Sequence, residues 1–132
     1  MLIKPDGVER NLVGEIITRF ERRDLFLASI KSLVATRAMI DAHYAHLLNS
    51  EHYPRILGWM TRGILVAATF TGDNAIAVAK QTIGATDPLK AAPGTIRADF
   101  ANKIGSNLVH ASADANDAQR ELAIWFPIES QN

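Results

Sequence analysis

The stretch Gly63-Ile64-Leu65-Val66-Ala67-Ala68-Thr69-Phe70 is the longest apolar run of the chain. It falls far short of the ~20 residues that a membrane helix needs, and its length and β-branched content read as a buried strand. Working outward, Asp73 is expected to cap a helix reaching about Ile83, and Pro54 to Met60 reads as a short helix before the strand. Thr36 is expected to cap a helix running to about Leu48, and Leu25 to Val34 reads as a second strand. Leu12, Val13, Ile16, Ile17 and Phe20 recur at helical spacing. Downstream, Asn107 to His110 reads as a short strand, and Ser112 is expected to open a last helix with Ala118, Leu122 and Trp125 on one face. This alternation predicts an α/β sheet but does not say which strands run parallel.

The 132 residues fit one domain, and 48% hydrophobic with 21% charged residues is globular composition. No repeat, low-complexity tract or linker divides the chain. Fourteen basic residues balance fourteen acidic ones, which argues against a dedicated nucleic-acid surface while leaving room for a local cationic pocket. The absence of cysteine removes disulfide scaffolds, thiolate zinc sites and cysteine nucleophiles. The first residues lack signal-peptide order, so a cytoplasmic protein with no membrane partner is expected. No glycine precedes a lysine, so there is no Walker A loop, and G-x-G-x-x-G, H-E-x-x-H and G-x-S-x-G are also missing. Gly84 to about Ala98, with Pro88 and Pro93, is long for a connection, as functional loops often are.

Several constellations could carry chemistry. Lys4-Pro5-Asp6-Gly7 follows a very short first strand; taken alone it is turn chemistry beside a solvated lysine. In the last strand, alternation would put Leu108 and His110 on one face and Asn107 and Val109 on the other. His110 is either a satisfied structural residue or a nucleophile toward phosphorus beside a helix N-terminus that favours anions. Glu121 is the one charged member of the stripe formed with Ala118, Leu122 and Trp125. It either snorkels or pairs with His110, directly or through a bridging group, and fixes the imidazole tautomer. The long loop offers Thr86, Asp99 and Arg97, whose planar fork suits phosphate. His43 and His46 have a spacing that could hold a metal, but without cysteine or a clean carboxylate, His43, His46 and His52 read as solvated.

Together, Lys4-Pro5-Asp6-Gly7, Val13-Gly14-Glu15-Ile16-Ile17, His43-Tyr44, Thr86-Asp87-Pro88, Pro93-Gly94-Thr95-Ile96-Arg97, Asn107 to His110 and Glu121 through Trp125-Phe126 resemble the nucleoside diphosphate kinase family, short bacterial type. The resemblance covers almost the whole chain, with residues 1–132 as a single domain. It implies a ferredoxin-like α/β sandwich with a four-stranded antiparallel sheet flanked by helices. It also implies ping-pong transfer of a γ-phosphate from a nucleoside triphosphate to a nucleoside diphosphate through a phosphohistidine on His110. In that pattern Glu121 orients His110, and Tyr44 and Ser112 lie beside the active site. Lys4, Thr86 and Arg97 hold phosphates, and Asn107 contacts the sugar. Mg²⁺ is expected on the nucleotide phosphates, and a homo-oligomer is expected, a hexamer before a tetramer.

The chain departs from the pattern at five positions. His52 stands where a base-stacking phenylalanine is usual, and Lys80 where an arginine usually meets phosphate. Ala111 and Ala113 follow His110 in place of a glycine and an acid, and Ala98 replaces a glycine after Arg97. Relatives usually carry several residues before the lysine strand, so the first strand is either unusually short or its start truncated. Lys4, Lys80 and Arg97 are expected to converge beside His110. The rival reading is a nucleotide-binding regulatory module of the same fold without catalysis.

Overall fold

A computed structural model describes residues 1–128. The last four positions of the expected 1–132 domain lie outside it. Four strands, β1 (Leu2–Ile3), β2 (Phe26–Val34), β3 (Ile64–Thr71) and β4 (Val109–His110), form one sheet in the order β2-β3-β1-β4. Every neighbouring pair is antiparallel: Leu2 faces Ala67 and His110, Ile3 faces Val66 and Val109, and Val34 faces Ile64. The sheet is therefore the expected antiparallel one.

Helices cover both faces. Ile3, Val66 and Val109 point into one core with Ile16 and Phe20 of α2 (Val13–Glu21). The same core takes Ile83 of α5 (Ala75–Ile83) and Ile96 of α6 (Ile96–Phe100). Their strand neighbours Leu2, Leu65 and Ala67 point the other way, into a core with Ile40 of α3 (Arg37–His43), Tyr53 and Met60 of α4 (Tyr53–Thr61), and Trp125 of α7 (Ala115–Trp125). Burial on both faces explains why β3 is apolar throughout rather than alternating. Among the described residues no helix is long and apolar enough to cross a membrane.

Caps decide several boundaries. Thr36 Oγ1 accepts from the Met39 amide at 3.2 Å, as expected, though α3 ends at His43 and a 3-10 turn, Ala45–Leu47, follows. Lys4-Pro5-Asp6-Gly7 does not make a simple turn: Pro5, pre-set for a first helical position, opens α1 (Pro5–Glu9). Asn74, left-handed at φ 56°, precedes α5 in place of Asp73. Asp114, not Ser112, caps α7, its carboxylate accepting from the Asp117 amide at 2.8 Å.

Candidate active site

The site begins with how the short central strand holds its neighbour. Leu108 is fully buried in the left-handed region at φ 76°, a conformation that costs a leucine about 1–2 kcal/mol. Two hydrogen bonds hold it there. The Lys4 amide donates to the Leu108 carbonyl at 2.8 Å, and the Leu108 amide donates to Asp6 Oδ2 at 3.1 Å. The α1 backbone can press this close because residue 7 is glycine: a Cβ there would lie 2.7 Å from Ile3 Cγ2 and 3.2 Å from the Leu108 carbonyl. The bend overrides the expected alternation. Leu108 and Val109 both enter the α2 core, and His110, opposite Leu2, turns toward α7.

There His110 Nε2 lies 2.7 Å from Glu121 Oε1, and Ser112 Oγ donates to Glu121 Oε2 at 2.5 Å. Ser112, freed from capping, thus serves the carboxylate. Glu121 is buried, which opposes ionisation, yet the hydrogen bonds from His110 and Ser112 prevail and bring its pKa down to about 2. The odd acid on the α7 stripe is a paired anion, whereas Leu122 of the same stripe is 46% exposed.

His43 is the residue that sequence reasoning misread. It is buried, not solvated; the Trp125 indole N–H donates to its Nδ1 at 3.0 Å. That bond leaves the imidazole proton on Nε2, which lies 3.8 Å from Glu121 Oε1. The His43 ring meets the His110 ring edge-on, centroids 4.5 Å apart. Burial, and then the nearby His110, push the His43 pKa down to about 3, so it stays neutral. His43, His110 and Glu121 place ligand-type atoms within 4.8 Å of one another, but the His43 nitrogen facing the cluster carries a proton. Within the group only His110 and Glu121 are hydrogen-bonded, and the buried His43 Nε2 faces them without a hydrogen-bond partner among the described residues. A signal was available: Ile40, His43 and Leu47 share one helical stripe. His46 and His52 are exposed, as expected.

A cleft of about 470 Å³ opens between α4 and the 3-10 turn Ile104–Ser106. Lys4, Tyr44, His52, Thr86 and Asn107, all candidates from the sequence, line it together. Lys4 Nζ donates to Asn107 Oδ1 at 2.8 Å, and Asn107 Nδ2 donates to the Thr86 carbonyl at 3.0 Å. Burial, reinforced by Arg97 and opposed by Asp6, lowers the Lys4 pKa to about 8, which leaves it mainly cationic at neutral pH. Burial also raises the Tyr44 hydroxyl to about 12, with the Glu121 charge adding to it.

The other candidates sit apart from the cleft wall. Arg97 is buried and donates to the carbonyls of Val109 at 2.7 Å, Gly84 at 3.0 Å and Asn107 at 3.3 Å. It braces β4 against the long loop, with two N–H groups of the guanidinium to spare. Gly84 permits that junction: its φ is +86°, and a Cβ there would lie 2.5 Å from Thr95 Oγ1. Asp99 pins the loop, bonding Arg19 at 2.5 Å and the Gly94 amide at 3.1 Å. Lys80 is exposed and donates to the Ala113 carbonyl at 3.2 Å, outside the cleft lining. Lys4 and Arg97 thus approach each other, and Lys80 does not join them.

The arrangement defines a small α/β enzyme in which a half-buried histidine, paired with a buried carboxylate, lies near a cleft lined by no acid among the described residues. The family profile described as nucleoside diphosphate kinase matches residues 1–130. A nucleoside diphosphate kinase of Mycobacterium tuberculosis is 47% identical over 128 residues, spanning 96% of this chain and 94% of that protein. The crystal structure of the Encephalitozoon cuniculi nucleoside diphosphate kinase superposes with TM-score 0.94 at 33% identity, over 99% of this chain and 89% of the other. That of Halobacterium salinarum, in complex with CDP, gives TM-score 0.91 at 36% identity, over 95% and 84%. The chain belongs to the nucleoside diphosphate kinase family.

Proposed function

We propose that this kinase moves phosphate between nucleotides through His110, with Nδ1 as the nucleophilic atom. The observation that carries the reading is the 2.7 Å contact between His110 Nε2 and Glu121 Oε1. A carboxylate accepts only, so the imidazole proton sits on Nε2 and the lone pair is left on Nδ1. Nδ1 attacks the γ-phosphorus of a nucleoside triphosphate; the N–P bond forms as the bond to the β-phosphate oxygen breaks, and the diphosphate leaves. A second nucleoside diphosphate attacks the phosphohistidine with its β-phosphate oxygen and restores neutral His110. Glu121 offsets the positive charge that the ring carries while phosphorylated, and Ser112 holds the second carboxylate oxygen.

Lys4 supplies the cleft's cation for the phosphates, Thr86 and Asn107 position phosphate and sugar, and Tyr44 walls the site. Arg97 holds the strand carrying His110 and directs its two remaining N–H groups to phosphate. His52 takes the place beside the base; Lys80 meets the phosphates only after leaving Ala113. Among the described residues no carboxylate lines the cleft, so the donor set suits Mg²⁺ that arrives on the nucleotide phosphates as part of the substrate. The domain acts as one unit in the cytoplasm, where its substrates are. It assembles with copies of itself, a hexamer before a tetramer. Supporting this, β2 is an edge strand whose outer side is unpaired among the described residues, with Phe26, Ile30 and Val34 exposed, and Leu89 is 81% exposed on the long loop.

The test is labelling with γ-³²P-ATP and Mg²⁺ followed by a quench in base. Wild type is expected to hold one acid-labile phosphate per chain and His110→Ala none. An unlabelled wild type would favour the non-catalytic module.

A further inference from the structure

The outer end of the cleft carries a group that the reaction above does not use. On the first turn of α4, His52 and Arg55 stand three residues apart and line the same wall. Opposite them lies the Ile104–Ser106 turn, with Ile104 exposed. Arg55 reaches across this mouth: a Cβ on Gly105 would lie 3.4 Å from Arg55 Nη2, so the turn presents a glycine where the guanidinium lies. Among the described residues Arg55 makes no ion pair and its side chain meets no hydrogen-bond acceptor. By contrast, Arg19, Arg62, Arg97 and Arg120 all engage carboxylates or carbonyls. An arginine fork with unspent donors therefore stands on the cleft wall beside Gly105, where a base between His52 and Ile104 would present its edge.

We propose that Arg55 is a specificity-determining residue that reads the nucleobase edge and favours guanine nucleotides over adenine nucleotides. The inference rests on the kinase reading and names its preferred substrate class. Two parallel N–H groups of a guanidinium match the O6 and N7 acceptors of guanine. Adenine keeps N7 but sets an amino group where O6 was, donor against donor. An exposed fork works at the low end of such discrimination, so the expected preference is about tenfold.

The experiment gives the phosphorylated full chain competing acceptors and reads kcat/KM for each. GDP and IDP, which share O6 and N7, are expected to exceed ADP about tenfold. In 7-deaza-GDP the loss of N7 brings the value toward that of ADP, and Arg55→Met brings the GDP to ADP ratio close to one. A wild-type ratio near one, an IDP value equal to that of ADP, or a ratio unchanged in Arg55→Met overturns the proposal. If no triphosphate phosphorylates the protein, the kinase reading fails by itself. Equilibrium dialysis of GDP and ADP with wild type and Arg55→Met then reads the same ratio, and equal binding of the two by wild type overturns the base preference.

Discussion

The two ends of the site are built on opposite principles. At the chemical end, Ser112 and His110 both bond Glu121, and Trp125 bonds His43, whose ring packs edge-on against His110; these groups are buried or half-buried, and His110 Nδ1 is left as the free nitrogen of that histidine. At the other end, His52, Arg55 and Ile104 are exposed around an open mouth, and Arg55 has no partner among the described residues. Pre-organisation of the first serves charge that develops only in the transition state. In the proposed reaction the open second end receives the nucleotide base. Damage to the first should therefore reduce turnover or stability, and changes to the second should move affinity and selectivity.

The largest expected effect comes from Glu121→Gln. A glutamine amide can donate to Nε2 and so drive the proton to Nδ1, which removes the nucleophilic lone pair. Turnover should fall roughly 10³-fold with the fold intact, as a wrong tautomer does elsewhere; steady-state kinetics beside circular dichroism would check it. A KM effect with kcat preserved would break the contrast.

Next comes Gly7→Ala. Its methyl would collide with Ile3 Cγ2 at 2.7 Å and loosen the clamp on Leu108. Overpacking of this kind costs about 2 kcal/mol, to be read as a lower urea midpoint.

His43 offers a pH test of the buried end. Its folded pKa of about 3 lies below the ordinary value of 6.5, so between them the unfolded chain binds the extra proton. Its contribution is full above pH 6.5 and is lost as the pH falls toward 3. Thermal melts of wild type should therefore drop on acidification through that window, and His43→Gln should flatten the slope. A parallel slope in the variant would contradict the neutral-histidine account.

The smallest effect belongs to the open end. His52→Phe adds apolar stacking area without a titratable ring and should tighten nucleotide binding about threefold, measured by dialysis. Unchanged affinity would remove His52 from the base site.

Much of this was legible in the chain, and the misses share a cause. β3 was readable because burial on both faces leaves an uninterrupted apolar run. Glu121 was readable because a charge on an apolar stripe demands a partner. Leu108 was not, since its left-handed backbone is imposed by Asp6 and Lys4 from a hundred residues away. Arg97 reads as a phosphate fork locally, while its use as a brace depends on three carbonyls that only the fold brings together. Ser112 and Asp114 both look like caps; Asp114 takes the cap, and Ser112 meets Glu121 across α7 instead.

The central claim is that Glu121 leaves His110 Nδ1 as the reacting atom. Phosphorus NMR of the protein after incubation with ATP and Mg²⁺ tests it most directly, because the two phosphohistidine isomers have distinct shifts. The account predicts a single resonance from phosphate on Nδ1, absent in His110→Ala; phosphate on Nε2 of His110, or on Ser112, would contradict it.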